Sequence, residues 1–405
     1  MVKIMRKLFH IQNYRLFLLN MTLLGMAVSL TAPFLVIFMT ETHGMPTATY
    51  GLFMATVAVG SFMMNTFIGR KSDRLAFDRK YLIIGALVMM VIAFSSYLII
   101  GNVWLLALSY ILFASLGAPA MPQLYASARE SINAYRSSIA VLANTVLRSM
   151  FSFGFLFGPL IGSVLIGIYG FDGLFTGTVI MFIVVLGLSF LIRPAEKKVV
   201  PQSAVDIKSY EEKIAPNLLR TPALLLPFVA FTMLHVGQWM YLLNMPLYVT
   251  NHLGEGERGV GILSSLCAGL EVPFMIFMGM IAGRVSSKSL LILGAFLGSL
   301  YFASIGIFND FTAMVIGQLP LAIFLAVLLG LGISYFQDLL PDFPGYASTL
   351  FANAMIIGQL LGNLLGGMAS DVVGLEYSFF VSGAFVFAAF VLFFFTRSEI
   401  RKGEI

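Results

Sequence analysis

The chain has 405 residues, of which 59% are hydrophobic and only 11% are charged. A water-soluble protein could not bury that much apolar surface, whereas at about 20 to 25 residues per membrane-spanning helix the sequence could fill roughly ten to twelve spans. This composition excludes a soluble globular enzyme, a disordered chain and a secreted disulfide scaffold. Cys267 is the only cysteine, so an internal disulfide and a cysteine-rich zinc site are excluded as well.

Apolar segments separated by charged or Pro/Gly-rich breaks predict twelve membrane-spanning helices. Their predicted limits are 14–40, 49–69, 80–101, 103–128, 137–167, 172–193, 219–250, 259–283, 288–308, 311–336, 346–370 and 375–396. We expect the first to be a permanent span rather than a signal peptide, because it is too long for a signal-peptide core and no small-residue cleavage site follows it.

The basic residues predict which side of the membrane each loop occupies, because Lys and Arg concentrate in cytoplasmic loops. With twelve spans, 22 of the 24 basic residues fall on one side. The exceptions are Arg258, in the loop between helices 7 and 8, and Arg148, inside helix 5. We therefore expect both termini in the cytoplasm, and we attribute the net charge of +5 to topology rather than to nucleic-acid binding.

A long hydrophilic segment, residues 194–217, divides the predicted helices six and six. We expect it to be a cytoplasmic linker between an N-terminal bundle, residues 1–193, and a C-terminal bundle, residues 218–405. The halves are similar, because glycines recur every four residues in helix 5 and again in helix 11, a spacing that lets membrane helices pack closely. These glycines are Gly154, Gly158 and Gly162 in helix 5, and Gly358, Gly362 and Gly366 in helix 11.

Two pseudo-symmetric six-helix bundles joined by a linker resemble the architecture of the major facilitator superfamily. These are all-α membrane proteins in which substrate binds between the halves near mid-membrane and the halves rock around it. The loop between helices 2 and 3 carries Gly-Arg-Lys-Ser-Asp-Arg at residues 69–74 and Asp-Arg-Lys at residues 78–80, and it resembles the charged loop of the superfamily. The resemblance implies a cytoplasmic gate whose ion pairs form when that side closes, and a solvated positive loop is the alternative. We expect the gate to include Asp73, Arg74, Arg129 and Glu130.

Two charges deep in predicted spans are candidates for function, because charged side chains are costly inside a membrane. Arg148 lies about 18 Å beyond Arg136 along helix 5, near the middle of a hydrocarbon core about 30 Å thick. Glu271 lies about as deep in helix 8, in the other half. Because desolvation favours the neutral form of a carboxyl, a carboxyl at this depth can take up and release a proton. We expect Glu271 to be the proton carrier; ligand contact alone and a structural role are the alternatives.

Amide and aromatic side chains share helix faces with these charges. Such a set would offer several hydrogen bonds to hydroxyl groups and an apolar platform to a sugar ring. The candidate substrate-binding residues are Gln123, Asn144, Arg148, Gln238, Tyr241, Asn244, Gln337 and Asn353. His235 is the only histidine in a span, and such a lone histidine is more typical of bundle packing than of a proton relay. We expect no metal site and no cofactor; the energy source is the proton gradient.

Motifs in five helices are similar to the bacterial sugar efflux transporter family. They include residues 120–130, 244–247, 268–273, 336–341 and 347–353. The resemblance implies a multi-pass transporter of the bacterial inner membrane that exports sugars or glycosides by proton-driven alternating access. Its partners would then be a sugar-like small molecule and the lipid bilayer, and we expect a monomer.

Other functions remain as alternatives. The Gly-Pro pair at residues 158–159 resembles a motif of superfamily exporters, and Met- and Phe-rich faces would also suit a multidrug/proton antiporter for lipophilic compounds. A membrane enzyme is disfavoured, because the sequence has no nucleophile pattern, metal cluster or phosphate-binding loop. A channel or sensor is disfavoured because the two-half repeat suits a rocking motion.

Overall fold

The computed structural model describes residues 11–72, 78–134, 140–193, 216–281 and 284–396. Residues 73 and 74 of the predicted gate and nearly all of the predicted linker lie outside the described residues. Within the described ranges the chain folds into helices and turns without strands, so the predicted all-α fold is confirmed.

Twelve helical segments can be followed in this part of the chain. They are α1 (Tyr14–Thr42), α2 (Thr47–Ser72), α3 (Arg79–Ile99), α4 (103–134), α5 (140–169), α6 (171–190), α7 (Pro222–His252), α8 (Gly256–Ile281), α9 (Ser287–Phe308), α10 (Phe311–Leu339), α11 (Pro344–Val373) and α12 (Leu375–Phe395). Eleven continuous stretches of the described chain are long and apolar enough to cross a membrane, and one of these, Val146–Phe190, holds both α5 and α6. Gly170 separates the two with φ 68° and ψ −167°, a conformation that glycine adopts readily because it has no Cβ.

Two spans are interrupted where a proline removes a backbone hydrogen-bond donor. In α1, regular helix ends at Thr31 before Pro33, and the span finishes in a π-helical turn at Phe38–Thr42. In α4, the pieces Val103–Gly117 and Ala120–Ala134 meet at Pro119. Both helices line the central cavity described below, so the irregular backbone occurs in helices that border an enclosed space inside the protein.

The two glycine rows pack the fifth helix of each half against the first helix of the same half. In the N-terminal half, a Cβ atom on Gly158 would lie 2.8 Å from Leu30 N and 2.9 Å from Met26 O of α1. In the C-terminal half, a Cβ atom on Gly362 would lie 2.8 Å from Val236 O of α7. Only glycine allows this backbone approach, so the predicted packing role of both rows is confirmed, and the equivalent positions support the internal repeat.

The two halves contact each other mainly through α2 with α11 and α5 with α8. We call the end where α1 leads to α2 the closed end, because hydrogen bonds join the halves there. Ala48 N of α2 donates to Asp371 Oδ2 of α11 at 3.0 Å, and Asn251 Nδ2 of α7 donates to Glu41 Oε1 of α1 at 2.7 Å. A Cβ atom on Gly367 would lie 2.5 Å from the carbonyl oxygen of Thr47, so the backbones of α11 and α2 are also in close contact.

We call the opposite end, where α2 leads to α3 and α12 ends, the basic end. The hydrogen bonds of its described side chains stay within one half. Lys80 Nζ donates to Phe190 O at 2.6 Å in the N-terminal half, and Lys288 Nζ donates to Thr396 O at 2.5 Å in the C-terminal half. The described contacts therefore hold the halves together at the closed end.

Candidate functional site

A cavity of about 560 Å³ lies between the two halves. Its lining comes from α1 to α5 in the N-terminal half and from α7, α8, α10 and α11 in the C-terminal half. A volume of this size is typical of small-molecule sites. Most lining side chains are apolar or aromatic, and a small number of polar groups are set among them.

Arg148 and Glu271 both line this cavity, one from each half. The Arg148 guanidinium is close enough to act electrostatically on the Glu271 carboxyl. Neither side chain is hydrogen-bonded or ion-paired to another described residue. Arg148 is exposed and Glu271 is partly exposed where they line the cavity, so the pair can bind a ligand, water or, at the carboxyl, a proton.

Gln238 and Tyr241 of α7 also line the cavity, and each is held by a buried neighbour. The Nδ1 atom of His235 lies 3.0 Å from Gln238 Oε1. The Tyr301 hydroxyl of α9 donates to the Tyr241 hydroxyl at 3.0 Å. Arg148, Gln238, Tyr241 and Glu271 are thus four predicted residues that the fold brings to one cavity.

Four other predicted ligand residues are not among the residues that line the cavity: Gln123, Asn244, Gln337 and Asn353. Asn244 is completely buried between helices, where its Nδ2 atom donates to Gly366 O and to Ser378 Oγ, each at 3.1 Å. Gln337 Nε2 donates to Ser348 Oγ at 3.1 Å. Asn144 lies in α5, and its side chain is outside the described part of the structure.

The predicted gate is only partly visible. Glu130 forms an ion pair with Arg79 of α3, with 2.6 Å between Oε1 and Nε, and Arg79 Nη1 donates to Gln123 Oε1 at 3.0 Å. Arg129, another residue of the predicted gate, is exposed. The pairing of Arg79 with Glu130 was not predicted, although Arg79 belongs to the charged Asp-Arg-Lys run at the start of α3.

The cavity wall also contains an amide pair on α11 that was not predicted from the sequence. Gln359 and Asn363 lie four residues apart, so they share a helix face, and both line the cavity. Asn353 on the same helix was predicted instead, and it is not among the residues that line the cavity. The opposite wall adds tyrosine rings from Tyr50, Tyr110 and Tyr125. In the described residues, no group of three or more His, Cys, Asp or Glu side chains could hold a metal ion.

Comparison with known proteins identifies the family. The family model of the Major Facilitator Superfamily matches residues 17–307 and 227–405. The chain belongs to this superfamily. Its relatives and its fold are those of transporters rather than enzymes, and it is a multi-pass membrane transporter.

Named relatives confirm the resemblance to sugar efflux transporters. The chain is 30% identical over 375 residues to "Sugar efflux transporter A" of Dickeya chrysanthemi, covering 93% of each chain. It is 30% identical to the "Putative sugar efflux transporter" of Deinococcus radiodurans, covering 92% of this chain and 94% of the relative. Sugar efflux transporter A of Escherichia coli K12 is 29% identical over 89% of this chain and 90% of its own.

Solved structures of other superfamily transporters share the fold. The nucleoside transporter NupG superimposes with a TM-score of 0.78 at 12% identity, covering 94% of this chain and 98% of NupG. A bacterial homologue of the human lysosomal transporter Spinster, in an inward-facing and occupied conformation, superimposes with a TM-score of 0.75 at 14% identity, covering 95% and 97%. At these identities the likeness concerns the fold alone.

Proposed function

We propose that this protein is a proton-coupled secondary transporter that exports sugars or glycosides across the bacterial cytoplasmic membrane by alternating access. The observation that carries the proposal is the pair of opposite charges, Arg148 and Glu271, which line one cavity from opposite halves and have no hydrogen bond or ion pair to any described residue. The relatives named as sugar efflux transporters support the substrate class, and they match this chain over about nine-tenths of its length.

The polar groups of the cavity suit a sugar-like ligand. Gln238, Gln359 and Asn363 supply amides, and Trp239 with Tyr241 supplies ring faces. Sugar hydroxyls require several hydrogen bonds, and the apolar face of a sugar ring packs well on an aromatic side chain. Arg148 adds a charged donor on the opposite wall. We keep Asn144 in the proposed site, because it lies one helical turn from Arg148 in the sequence.

Glu271 is the proposed proton carrier. When its carboxyl is ionised it balances the positive charge of Arg148, and when it is protonated Arg148 is left as the net charge of the cavity. The protonation state therefore changes what the cavity attracts. Coupling follows if protonated and ionised proteins differ in their balance between inward-open and outward-open states, because a bound group shifts such a balance only through differential affinity.

The proposed orientation places the basic end and both termini in the cytoplasm, since basic residues favour that side. The contacts at the closed end then correspond to an inward-open state. Residues 1–193 and 218–405 would move as two bundles joined by the linker 194–217. We propose that, when the cytoplasmic side closes, gate residues of the N-terminal bundle leave contact with solvent and form ion pairs with residues of the C-terminal bundle. These gate residues are Asp73, Arg74, Arg129 and Glu130.

Counterflow and proton movement in proteoliposomes test this proposal together. Liposomes loaded with unlabelled sugar are diluted into labelled sugar, and a pH-sensitive dye reports protons that accompany net transport. We expect wild type to show both signals, and Glu271→Gln to keep counterflow while losing proton movement, because the amide cannot titrate.

The matched control for this experiment is Glu257→Gln. Glu257 lies on α8 at the closed end and is not among the cavity-lining residues, so both signals should persist. Sugar-driven proton movement by Glu271→Gln at the wild-type rate would contradict the assignment. Absence of counterflow for every sugar tested would contradict the substrate class.

One observation favours a second candidate, an antiporter for lipophilic compounds. Flexible methionine side chains from both halves line the cavity, and such side chains adapt to varied apolar ligands. They are Met54, Met90, Met121, Met245 and Met275. Thermal stabilisation by lipophilic cations, and by none of the sugars, would favour this candidate over sugar export.

A further inference from the structure

We propose that the cavity face of α7 offers hydrogen-bond donors at Gln238 and Tyr241, and selects ligands by oxygen atoms that accept hydrogen bonds, with His235 and Tyr301 as positioning residues. This inference deepens the proposed function, because it assumes a sugar-like ligand in the same cavity. It concerns which polar atoms of the site are free, rather than which residues line it.

The contact between His235 and Gln238 fixes the first donor. Gln238 Oε1 can only accept a hydrogen bond, so the Nδ1 atom of His235, 3.0 Å away, must carry the hydrogen. The opposite tautomer would place two lone pairs against each other. His235 is completely buried and its Nε2 atom has no partner, so the ring serves no other polar group among the described residues. With its acceptor oxygen engaged, the half-buried Gln238 has its Nε2 hydrogens left for the cavity.

A chain of three side chains fixes the second donor. Gln318 Nε2 of α10 donates to the Tyr301 hydroxyl at 3.0 Å, and Tyr301 donates in turn to the Tyr241 hydroxyl at 3.0 Å. Gln318 and Tyr301 are almost completely buried, with 0% and 1% of their surfaces exposed. Because Tyr301 donates to it, the Tyr241 hydroxyl already accepts one hydrogen bond, and its own hydrogen has no acceptor among the described side chains. Tyr241 lines the cavity, so that hydrogen is available to a ligand.

The two donors act on the same part of a ligand. Gln238 and Tyr241 are three residues apart, which places them one turn apart on the same helix face. In each case the acceptor side is occupied by a buried residue of the C-terminal half. A ligand oxygen that only accepts, such as an ether or carbonyl oxygen, is therefore bound as well as a hydroxyl. A ligand that lacks the oxygen leaves a donor unpaired in a largely apolar cavity.

Cys267 allows ligand binding to be measured without a label on the ligand. It is the only cysteine of the chain, it is not disulfide-bonded, and it lines the cavity. In membranes, a bound ligand should slow the alkylation of Cys267 by N-ethylmaleimide. The half-protecting concentration can then be compared for each sugar of a panel of glucose, galactose and lactose, and for its single-position deoxy and O-methyl analogues.

We expect one position on the sugar at which the deoxy and O-methyl analogues differ in how well they protect Cys267. In the wild type, the half-protecting concentration of the deoxy analogue should be about tenfold higher than that of the parent sugar, because one hydrogen bond is lost. The O-methyl analogue at that position, which keeps the acceptor and loses the donor, should stay close to the parent. In Tyr241→Phe the penalty for the deoxy analogue at that position should disappear.

The positioning residues are tested by their effect on this preference. Tyr301→Phe frees the acceptor atom of Tyr241, and His235→Leu frees that of Gln238, so a ligand hydroxyl can now donate to the freed atom. The half-protecting concentration of the O-methyl analogue should then rise several-fold relative to that of the parent sugar. His235→Asn keeps a donor near the position of Nδ1 and should restore the wild-type ratio. A general structural defect would weaken all ligands alike and leave the ratio unchanged.

Tyr248→Phe is the matched control. Tyr248 is a completely buried tyrosine of the same helix that donates to Asn309 Oδ1 at 2.7 Å and is not among the cavity-lining residues, so its loss should not change the ratio. If sugars protect Cys267 but the half-protecting concentrations of the analogues relative to the parent sugar are the same in wild type, Tyr241→Phe and Tyr301→Phe, this inference is overturned and the proposed function is left intact. Protection by none of the sugars would overturn the proposed function and this inference with it.

Discussion

Asn244 is an amide deep in α7 whose position makes it structural in the present fold. Its side chain is completely buried, and its Nδ2 atom donates to the carbonyl oxygen of Gly366 in α11 and to the hydroxyl of Ser378 in α12. One side chain therefore links three helices. The Gly366 contact also lies on the glycine row, where the backbones of α7 and α11 approach closely.

We expect Asn244→Ala to lower stability and to leave sugar binding unchanged. Two acceptors lose their donor, and hydrogen bonds between membrane helices contribute about 0.6 kcal/mol on average, so the free energy of unfolding should fall by about 1 kcal/mol. Thermal unfolding in detergent measures this loss, and ligand protection of Cys267 measures binding. Gln238→Ala should behave in the opposite way. A large loss of sugar affinity in Asn244→Ala with normal stability would contradict the structural role.

The residues of the site differ in how far the sequence could predict them. Arg148 and Glu271 were predictable because an unpaired charge at mid-membrane is so costly that few positions tolerate it. Amides carry a weaker signal. Tyr241 and Asn244 are three residues apart on α7 and were both predicted as candidates, but Tyr241 lines the cavity whereas Asn244 contacts α11 and α12. Sequence spacing alone cannot say which neighbour a polar side chain meets, and for the same reason Asn363 was not predicted as a cavity-lining residue.

At the scale of elements, the glycine row of α5 sets the distance to α1. A Cβ atom on Gly158 would meet the Ser29 hydroxyl and the backbone of Leu30 and Met26 at once. Backbone atoms cannot move aside as a flexible side chain can. The helix pair would have to separate, and the α5 wall of the cavity would shift with it.

We therefore expect Gly158→Ala to destabilise the protein by about 1–3 kcal/mol, the usual cost of overpacking. Gly187→Ala is the matched control, because nothing lies within 4 Å of a Cβ atom built there. Thermal unfolding in detergent should show a clearly lower midpoint for Gly158→Ala and little change for Gly187→Ala. Equal midpoints for the two variants would show that α5 can move away from α1 without cost.

The sequence predicted the existence and order of the helices better than their internal breaks. Membrane spans are long, strongly apolar and bounded by charged or turn-forming residues, which makes them visible in composition alone. Prolines were less informative. Pro33 and Pro119 interrupt their spans, whereas Pro159, Pro227 and Pro273 lie inside continuous helices. Whether a proline breaks a membrane helix depends on which neighbours satisfy the freed carbonyl, and this is a tertiary property.

At the scale of the whole molecule, the closed end includes a helix cap that crosses between the halves. The first N–H groups of a helix have no partner within it and favour a negative charge. At the start of α2, the N–H of Ala48 is bound by the Asp371 carboxylate of α11, which belongs to the other half. Opening this end, as the proposed alternating access requires, would remove the cap from α2, so in that proposal Asp371 favours the state in which this end is closed.

We expect Asp371→Ala to shift that balance toward the outward-open state. Loss of a helix cap costs about 1 kcal/mol, which corresponds to roughly a fivefold change in the ratio of the two states. A membrane-impermeant thiol reagent added to intact cells should therefore alkylate Cys267 about fivefold faster in the variant, while sugar binding in solubilised protein persists. Asp172→Asn is the control, because Asp172 is an exposed carboxylate near the same end. If both variants reacted from outside at the wild-type rate, the cap between α11 and α2 would not contribute to keeping this end closed.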